Sequence, residues 1–280
     1  MIPAPFEYVR ATSLAEAIGF LVDAPEDAKL LAGGHTLIPA MKLRLASPSL
    51  VVDIRSIDEL KGIDVGDNVR IGALTTHAEL LNSQSLYQIL PIFREAATVI
   101  ADPQVRNSGT IGGSLANADP AADWPAVILA LGAELELAGP DGRRRIPAGE
   151  FFLDIMTTAL QIQEILVAVY IPRPEKNLHS RYRKIRHPAS GYAVVGVAVA
   201  IHVSGGLVAG ADIGVTGAAA RAFIAHAASS FLMGKPLSEE NIQRAASLAS
   251  VELPCLMDHY ASADYRKHLV KTEVARALYF

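Results

Sequence analysis

Two short segments of the chain carry residue types that are suited to binding an anion. The first is segment 32–36, Ala-Gly-Gly-His-Thr, and the second is segment 110–114, Thr-Ile-Gly-Gly-Ser. Paired glycines permit positive φ angles and let a ligand approach the backbone closely. Successive N–H groups can then converge on the anion, and the start of a following helix adds its dipole. Because hydroxyl residues flank both pairs, we predict that the two segments hold one diphosphate from both sides. The alternative is that each Gly-Gly pair forms only a turn.

The usual short motifs of nucleotide-binding and hydrolytic enzymes are missing. The chain has no G-x-G-x-x-G, P-loop, H-E-x-x-H or G-x-S-x-G sequence, and its eight histidines are scattered without a pair at metal-ligand spacing. The one cysteine, Cys255, excludes an intrachain disulfide, an iron–sulfur cluster held by this chain alone and a thiolate zinc site. We therefore predict no metal ligands in this chain and a reducing compartment.

The composition indicates an ordered protein with a large core. The 280 residues are 51% hydrophobic and 19% charged, with a formal net charge of −4. These values exclude a disordered chain and argue against a nucleic-acid binder, which usually has a basic excess. The longest apolar run, residues 192–201, has ten residues, whereas a membrane helix needs about twenty. Because residues 1–5 also lack the features of a secretory signal, we predict a cytoplasmic protein without a membrane span.

Hydrophobic spacing predicts an alternation of helix and strand in the first part of the chain. Ser13 and Glu16 fit a capping pair at the start of a helix. A short apolar strand that ends at Leu31, a helical piece at 37–45 and a strand at 50–54 follow. This strand–helix–strand order favours parallel pairing of the two buried strands.

The middle of the chain mixes strands, helices and turn sequences. The predicted strands are 69–71, 134–138, 144–146 and 164–171, and the predicted helices are 86–100 and 124–131. Thr76 with Glu79 caps a further helix. Residues 139–142, Gly-Pro-Asp-Gly, predict a hairpin turn, and Pro-Arg-Pro at 172–174 marks the predicted domain boundary.

Beyond residue 174 the pattern predicts three strands followed by three helices. The strands are 181–186, 193–203 and 207–215, and the helices are about 219–232, 238–252 and 263–279. Residues 204–206, Ser-Gly-Gly, predict a tight turn between the last two strands. The fold class is α+β. One domain is predicted at 1–175, with subdomains at about 1–56 and 57–175, and a second at 176–280, with a three-stranded antiparallel sheet and three helices.

Together these segments resemble the FAD-binding medium subunits of the molybdenum hydroxylases, the xanthine dehydrogenase family, and within it the carbon monoxide dehydrogenase type. The resemblance spans the chain and is carried by Met1-Ile2-Pro3, by segments 32–44, 100–106 and 110–114, and by the βββααα order of the C-terminal domain. It implies an FAD-binding domain of the vanillyl-alcohol-oxidase/PCMH type, built from two α/β subdomains, in front of that C-terminal domain. Two positions depart from the family pattern. Ser114 stands where Asn is frequent, and Gly191 stands where Asp usually precedes Tyr192.

The same resemblance implies which residues bind the FAD. The residues implied to hold the diphosphate are Ala32, Gly33, Gly34, His35, Thr36, Thr110, Ile111, Gly112, Gly113 and Ser114. Asp123 is expected to contact the ribityl–ribose region, and Ile100 and Leu166 are expected to make apolar contacts with the flavin. Lys184 is expected to approach the flavin, and Tyr192 to cover one face of the isoalloxazine ring. No residue is expected to act as a general acid, general base or nucleophile.

Several of these residues also have simpler structural interpretations. Asp123 could cap the helix that follows it, and Ile100 and Leu166 could be ordinary core residues. His35 could be a polar turn residue, and Tyr192 could simply begin the strand 193–203. Residues predicted to be structural only are His77, Cys255, Arg181, Arg183 and Arg186.

The resemblance implies an oxidoreductase subunit that transfers electrons. A small iron–sulfur subunit would deliver electrons through the FAD to an external acceptor, and a large molybdopterin subunit would oxidise the substrate, in a dimer of heterotrimers. Two alternatives stay open at this point. One is a stand-alone flavin-dependent oxidase or dehydrogenase, although residues 172–280 contain no cluster of catalytic residue types. The other is a non-catalytic module that binds FAD for assembly.

Overall fold

The computed structural model of the chain describes residues 2–251 and 253–280. Met1, which belongs to the resemblance above, and Glu252, where the predicted helix 238–252 ends, lie outside the described residues. Within the described ranges, no helix is both long enough and apolar enough to cross a membrane.

The N-terminal part is a small parallel sheet with two helices. In chain order its elements are β1 (Glu7–Arg10), α1 (Leu14–Val22), β2 (Lys29–Leu31), α2 (Leu37–Lys42) and β3 (Leu50–Asp53). β3 lies between β1 and β2 and pairs with both in parallel, as the sequence predicts for β2 and β3. The sequence does not predict β1, because its side chains are mostly exposed and leave no buried apolar run. Val51 and Val52 of the central strand are buried.

A five-stranded antiparallel sheet and several short helices form the middle part. After a 3-10 turn at Asp58–Leu60 its elements are β4 (Ile63–Val65), β5 (Asn68–Gly72), α3 (His77–Asn82), α4 (Gln84–Ile89), α5 (Ile92–Thr98), α6 (Pro103–Arg106), α7 (Ile111–Asn117), α8 (Trp124–Ala130), β6 (Glu134–Gly139), β7 (Gly142–Pro147), α9 (Ala148–Phe151), β8 (Phe152–Asp154), β9 (Thr157–Thr158) and β10 (Ile165–Pro172). The strand order is β4-β5-β10-β6-β7. The predicted hairpin turn at 139–142 joins β6 to β7.

Two features of this middle part differ from the sequence prediction. The predicted helix 86–100 is divided into α4 and α5 at Pro91, because proline has no N–H group with which to continue a helix. The segment 110–114 is not a loop. Thr110 is the N-cap of α7, and Gly112 and Gly113 lie in the first turn of that helix. Two adjacent glycines therefore start a helix here.

The C-terminal part is an antiparallel sheet packed against three helices. Its elements are β11 (Leu178–Arg186), β12 (Ala193–Ser204), β13 (Leu207–Thr216), β14 (Phe223–Ile224), α10 (His226–Leu232), α11 (Glu239–Ser250) and α12 (Ala263–Leu278). The strand order is β11-β12-β13-β14. The sequence misses β14 and predicts a helix at 219–232 instead. Phe223 pairs with Val215 at the edge of β13, so the helix starts only at His226.

The C-terminal sheet packs directly on the helices of the middle part. Tyr182 of β11 and Ala198 of β12 belong to the same buried cluster as Trp124 of α8. The hydroxyl of Thr216, at the end of β13, shares its proton between the carbonyl oxygens of Pro120 and Ala122, at 2.8 and 2.7 Å. The segment that leads into α8 is therefore fixed on the sheet, and the start of α8 is held against β11.

Gly214 tests how closely β13 and α8 approach. A Cβ atom there would collide with the carbonyl group of Ala126, whose carbon would lie 3.1 Å away. We expect Gly214→Ala to lower the free energy of unfolding by about 1–3 kcal/mol, because the backbone of α8 has no room to yield. The measurement is chemical unfolding followed by circular dichroism.

Gly210 provides the matched control on the same strand. A Cβ atom there would make only an ordinary contact, 3.4 Å from the His202 ring. Gly210→Ala should leave the stability within about 0.5 kcal/mol of the parent protein. Equal stability losses in the two variants would contradict the close approach of β13 to α8.

Candidate functional site

The first glycine segment contacts the residues that come just before the second, Ser108 and Gly109. The hydroxyl of Ser108 donates to the carbonyl oxygen of Gly33 over 2.8 Å. A Cβ atom on Gly33 would collide with the Ser108 carbonyl and would lie 2.8 Å from Cα of Gly109. A Cβ atom on Gly113 would lie 3.9 Å from Cβ of Ala32. Glycine at position 33 therefore lets segment 32–36 lie directly against the chain that leads into α7.

The first segment presents a row of open backbone donors. Of the residues that the structure describes, none accepts a hydrogen bond from the backbone N–H groups of residues 32–37. Gly34, in the middle of this row, has a φ of +74°, a conformation that glycine adopts without strain. Residues 32–34 are half-buried, while His35 and Thr36 are exposed. Such a row of unbonded N–H groups is the backbone arrangement that binds anions.

The second segment differs from the first because its N–H groups are already bonded within the protein. Ile111 donates to the Thr75 carbonyl at 3.0 Å and Gly112 to the Ala73 carbonyl at 2.8 Å. Gly113 donates to Oγ1 of Thr110 at 3.0 Å. The sequence predicts converging N–H groups in both segments, whereas the structure leaves them open only in the first.

What the second segment offers instead is side-chain hydroxyls. Oγ1 of Thr110 accepts the Gly113 N–H and keeps its own proton for a further acceptor. Ser114 is half-buried one turn along α7. On the first segment, Thr36 sits at the N-cap of α2 but makes no side-chain capping bond. The two segments together thus carry three hydroxyl residues, Thr36, Thr110 and Ser114.

A buried ion pair lies at the start of α8, the helix that follows α7 in the chain. Nζ of Lys184 is 2.8 Å from Oδ2 of Asp123, and the hydroxyl of Tyr182 donates to Oδ1 over 2.5 Å. The Asp123 and Lys184 side chains are 6% and 1% exposed. Asp123 occupies the N-cap position of α8 but makes no side-chain capping bond. Asp123 therefore lies at the predicted cap position, but its side chain bonds to Lys184 and Tyr182 and not to the helix.

Burial and pairing act in opposite directions on these ionisable groups. Burial raises the pKa of Asp123, and the Lys184 ammonium opposes that rise. Burial lowers the pKa of Lys184, and the Asp123 carboxylate opposes that fall. Burial, and then the neighbouring carboxylate, raise the pKa of the Tyr182 hydroxyl well above its usual value, so it stays a donor. Each charge is therefore tolerated only because the other is present.

The same face of β11 also bonds to α5 and to the residue that follows it. Nζ of Lys184 donates to the Val99 carbonyl at 3.2 Å, and the backbone N–H of Tyr182 donates to Oε2 of Glu95 at 2.7 Å. The sequence assigns no role to Tyr182, which enters only through the Tyr-x-Lys pattern of residues 182–184, and none to Glu95. The strand alternation could have identified Tyr182 as a neighbour of Lys184, because residues 182 and 184 of one strand point to the same side. Arg183 points away from them and pairs with Glu273.

Ile100 and Leu166 lie in the same buried cluster, at 9% and 5% exposure. Leu166 sits on β10 opposite Leu137. Ala101, directly after Ile100, has a φ of +41°, which is unfavourable for a residue with a Cβ atom. The Arg106 guanidinium donates to the carbonyl oxygen of Ile100 at 2.8 Å and to that of Ala101 at 3.2 Å, and these two bonds stabilise the strained turn.

Tyr192 is the most exposed of the predicted cofactor residues beyond the glycine segments, at 43%. It precedes β12, and the backbone N–H of the next residue, Ala193, donates to the Ala121 carbonyl at 3.1 Å. Burial, followed by the nearby carboxylates of Asp119 and Asp123, raises the pKa of its hydroxyl. Its position next to these carboxylates places it on the same side of the protein as the start of α8.

His77 supports the second segment from below. Its Nδ1 accepts the indole N–H of Trp124 at 3.0 Å, and a Cβ atom on Gly109 would lie 2.8 Å from its Nε2. Burial, with smaller contributions from the neighbouring His35 and Arg106, lowers the pKa of His77 to about 4. The imidazole is therefore neutral and packed.

Two family patterns match the chain and cover nearly all of it. The pattern described as "FAD binding domain in molybdopterin dehydrogenase" matches residues 4–174. The pattern described as "CO dehydrogenase flavoprotein C-terminal domain" matches residues 180–279.

Individual relatives match over their full lengths. The carbon monoxide dehydrogenase medium chain of Afipia carboxidovorans is 40% identical to this chain, over 99% of this chain and 97% of the relative. The alpha subunit of the 6-hydroxypseudooxynicotine dehydrogenase complex of Paenarthrobacter nicotinovorans is 37% identical, over 99% and 95%. A crystallised carbon monoxide dehydrogenase from Hydrogenophaga pseudoflava superposes with a TM-score of 0.96 at 42% identity, covering 99% of this chain and 97% of that chain.

Removing the Lys184 charge should expose the dependence of Asp123 on its partner. Lys184→Met leaves a buried carboxylate, and we expect a loss of about 3–5 kcal/mol in the free energy of unfolding near neutral pH. The folded variant then binds a proton on Asp123 above pH ~4, where the unfolded chain does not. Its stability should therefore fall as pH rises and recover on acidification.

The control for this prediction is the double variant Asp123→Asn with Lys184→Met, which has no buried charge at this position. Its stability should lack the additional pH slope. Urea unfolding between pH 5 and pH 8 compares the three proteins. Parent-like stability of Lys184→Met across that range would contradict the ion pair.

His77 should make a separate contribution to acid sensitivity. Because its folded pKa is about 4 and its ordinary value is 6.5, the unfolded chain takes up a proton in this interval and the folded chain does not. Stability due to the neutral imidazole is thus complete above pH 6.5 and is lost as pH falls, by about 3 kcal/mol at most. In His77→Gln the free energy of unfolding, measured by urea unfolding, should depend less on pH between pH 6.5 and 4. The exposed His259→Gln serves as the control and should keep the slope; an unchanged slope in His77→Gln would refute this assignment.

Proposed function

The chain belongs to the family of FAD-binding subunits of the molybdopterin dehydrogenases, and from that membership we propose that it is the electron-transfer subunit of a multi-subunit molybdenum hydroxylase. It carries an FAD-binding domain and belongs to an oxidoreductase family. The observation that carries the proposal is the open row of N–H groups along residues 32–37, bordered by the hydroxyls at the start of α7.

These donors suit the diphosphate of FAD. A diphosphate carries two negative charges on several acceptor oxygens, and open N–H groups in a glycine-rich turn bind such oxygens at close range. We assign the N–H donors to residues 32–37 and the hydroxyl donors to Thr36, Thr110 and Ser114. His35, which is exposed beside the row, is assigned to the same ligand. The glycine at position 33 allows both groups of donors to reach one ligand.

Asp123 and Lys184 are assigned to the region between the diphosphate and the flavin. Lys184 has three N–H donors, of which Asp123 and the Val99 carbonyl use two. The third is available to the flavin. Each Asp123 oxygen accepts one bond from the protein and keeps a second lone pair for a ribityl hydroxyl. The main role of Asp123 in this assignment is to hold Lys184 in place as an ammonium group.

The flavin ring is assigned to the side of the site that bears Tyr192, Ile100 and Leu166. The exposed Tyr192 ring can cover one face of the isoalloxazine. Ile100 and Leu166 supply the edge of the buried apolar cluster as a wall. FAD held by these residues would supply one-electron redox chemistry between the iron–sulfur clusters of a partner subunit and an external acceptor, NAD, quinone or oxygen.

We assign the clusters and the molybdenum centre to other chains. A single cysteine cannot bind an iron–sulfur cluster, and the relatives are named as a medium chain and as a complex subunit. The partners proposed are a small iron–sulfur subunit and a large molybdopterin subunit, in a dimer of heterotrimers in the cytoplasm. The division of this chain into domains at 1–175 and 176–280, with subdomains at about 1–56 and 57–175, is part of the same proposal.

The open N–H groups can be tested by straining the turn that carries them. Gly34→Ala places a Cβ atom at a φ of +74°, at a cost of about 1–2 kcal/mol, and displaces the neighbouring donors. We expect FAD affinity to fall about tenfold or more, because several diphosphate bonds depend on this turn. Gly113→Val, whose Cβ atom would lie 2.9 Å from Oγ1 of Thr110, should weaken binding through the hydroxyl.

Gly132→Ala is the matched control for backbone strain. Gly132 has a φ of +59° and open space around it, outside both segments. The Gly132→Ala variant should lose stability as Gly34→Ala does but keep its full flavin content. The measurements are bound flavin by absorbance and affinity by titration of the FAD-free protein. Full FAD affinity in both Gly34→Ala and Gly113→Val would mean that the diphosphate lies elsewhere.

A further inference from the structure

His187 makes most of the hydrogen bonds in the turn that leads to Tyr192. One further bond of the turn does not involve it: the backbone N–H of Tyr192 donates to Oγ of Ser190 at 3.4 Å. Nδ1 of His187 accepts the backbone N–H groups of Ala189 and Ser190, both at 3.3 Å. The backbone of His187 closes the turn as well. Its N–H donates to the Tyr192 carbonyl at 2.8 Å, and its carbonyl accepts the Gly191 N–H at 2.9 Å. Four hydrogen bonds of this turn therefore involve one residue.

Gly191 allows the turn to close. Its φ of +73° is in the left-handed region, where glycine is unstrained. A Cβ atom there would lie 3.4 Å from Nη2 of Arg186 and 4.0 Å from Cα of Ala101. The turn therefore lies next to Ala101, the residue with the strained backbone. This contact fixes the backbone just before Tyr192 relative to Ala101.

The imidazole of His187 is itself held by a ring from the C-terminal part. The centroids of His187 and Tyr260 are 4.4 Å apart, with an angle of 58° between the rings. The backbone N–H of Tyr260 donates to Oδ1 of Asp258 at 2.9 Å. Tyr260 is therefore mounted on a loop whose own geometry is fixed by a carboxylate.

Arg266 of α12 connects that loop to the strand behind Tyr192. Its guanidinium donates to Oδ2 of Asp258 at 2.7 Å, to the carbonyl of Val194 at 2.6 Å and to that of Gly217 at 2.7 Å. Arg266 is 6% exposed. The turn, β12, Arg266, Asp258 and Tyr260 form a closed ring of contacts that begins and ends at His187.

We propose that His187 is a positioning residue for Tyr192, and that the Tyr260 ring keeps its imidazole in the orientation that holds the turn. The proposal rests on the assignment of Tyr192 to the flavin face. Nδ1 accepts two N–H groups, so the neutral ring carries its proton on Nε2. The ring plane must then stay roughly fixed, and an aromatic ring packed at its side restricts rotation about χ2.

Two substitutions separate the acceptor from the ring. His187→Phe keeps an aromatic ring against Tyr260 but has no acceptor for the Ala189 and Ser190 N–H groups. His187→Asn keeps an acceptor, because an asparagine oxygen bonds the N–H groups two and three residues on, and it loses the ring. Tyr260→Ala, which leaves the turn sequence unchanged, removes the support from the other side. Tyr192→Ala is the reference.

The measurements are flavin fluorescence, reoxidation of the reduced flavin by stopped flow, and thermal unfolding, all on FAD-loaded protein. A tyrosine stacked on a flavin quenches its emission, so Tyr192→Ala should raise the emission several-fold. His187→Phe and Tyr260→Ala should raise it in the same direction and alter reoxidation in parallel. His187→Asn, in contrast to His187→Phe, should keep most of the quenching of the parent protein. A purely structural role would lower the unfolding temperature of these variants and leave the emission unchanged.

Two results would overturn the proposal, and they have different meanings. If Tyr192→Ala raises the emission while His187→Phe and Tyr260→Ala do not, His187 does not position Tyr192, and the flavin assignment stands. If Tyr192→Ala itself changes neither emission nor reoxidation, Tyr192 does not face the flavin, and the assignment on which this proposal rests fails with it. Should His187→Phe fail to fold, Tyr260→Ala decides the question alone.

Discussion

The buried ion pair between Asp123 and Lys184 is the contact on which the rest of the site depends. Removing one charge of such a pair leaves the other uncompensated, at a cost of about 3–5 kcal/mol. Asp123 belongs to the middle part and Lys184 to β11, so the pair can form only when the C-terminal sheet is seated on α5 and α8. The Tyr182 hydroxyl on the same carboxylate adds to this requirement. Seating the sheet places β12, and with it Tyr192, beside the segment that leads into α8. Packing of the C-terminal sheet on α5 and α8 therefore fixes Asp123, Lys184 and Tyr192 relative to one another.

The two glycine segments look alike in the sequence but have different physical roles. In segment 32–36, Gly33 is needed for contact with Ser108 and Gly34 for its positive φ, and the N–H groups remain open. In segment 110–114 the N–H groups bond to carbonyls of residues 73 and 75 and to the Thr110 hydroxyl. The first segment is thus suited to bind an anion with backbone, and the second with side chains. A ligand held by both must fit a rigid helix on one side and a turn on the other.

Much of the fold could be predicted from the sequence because it depends on residues that are close together in the chain. The buried apolar runs predict the parallel pairing of β2 and β3, and Gly-Pro-Asp-Gly predicts the hairpin at 139–142. What could not be predicted depends on partners far along the chain. Residues 223–224 form β14 only because the edge of β13 is free to pair. Pro91 in the sequence indicates that helix 86–100 is divided there. The prediction joined the two helices because apolar residues continue at helical spacing on both sides of the proline. The sequence shows residue types suited to binding an anion in both segments, but it could not show how their N–H groups are bonded, since the acceptors at Ala73 and Thr75 are tertiary contacts.

In the proposed site, backbone N–H groups of one segment and hydroxyls of the other hold the diphosphate. Hydrogen–deuterium exchange, resolved to single amides and compared between FAD-free and FAD-loaded protein, reports on each of these N–H groups. In the FAD-free protein the amides of residues 32–37 should exchange fast and those of residues 111–113 slowly. On loading with FAD, residues 32–37 should gain strong protection while residues 111–113 change little. Protection gained at 111–113 with none at 32–37 would contradict the claim.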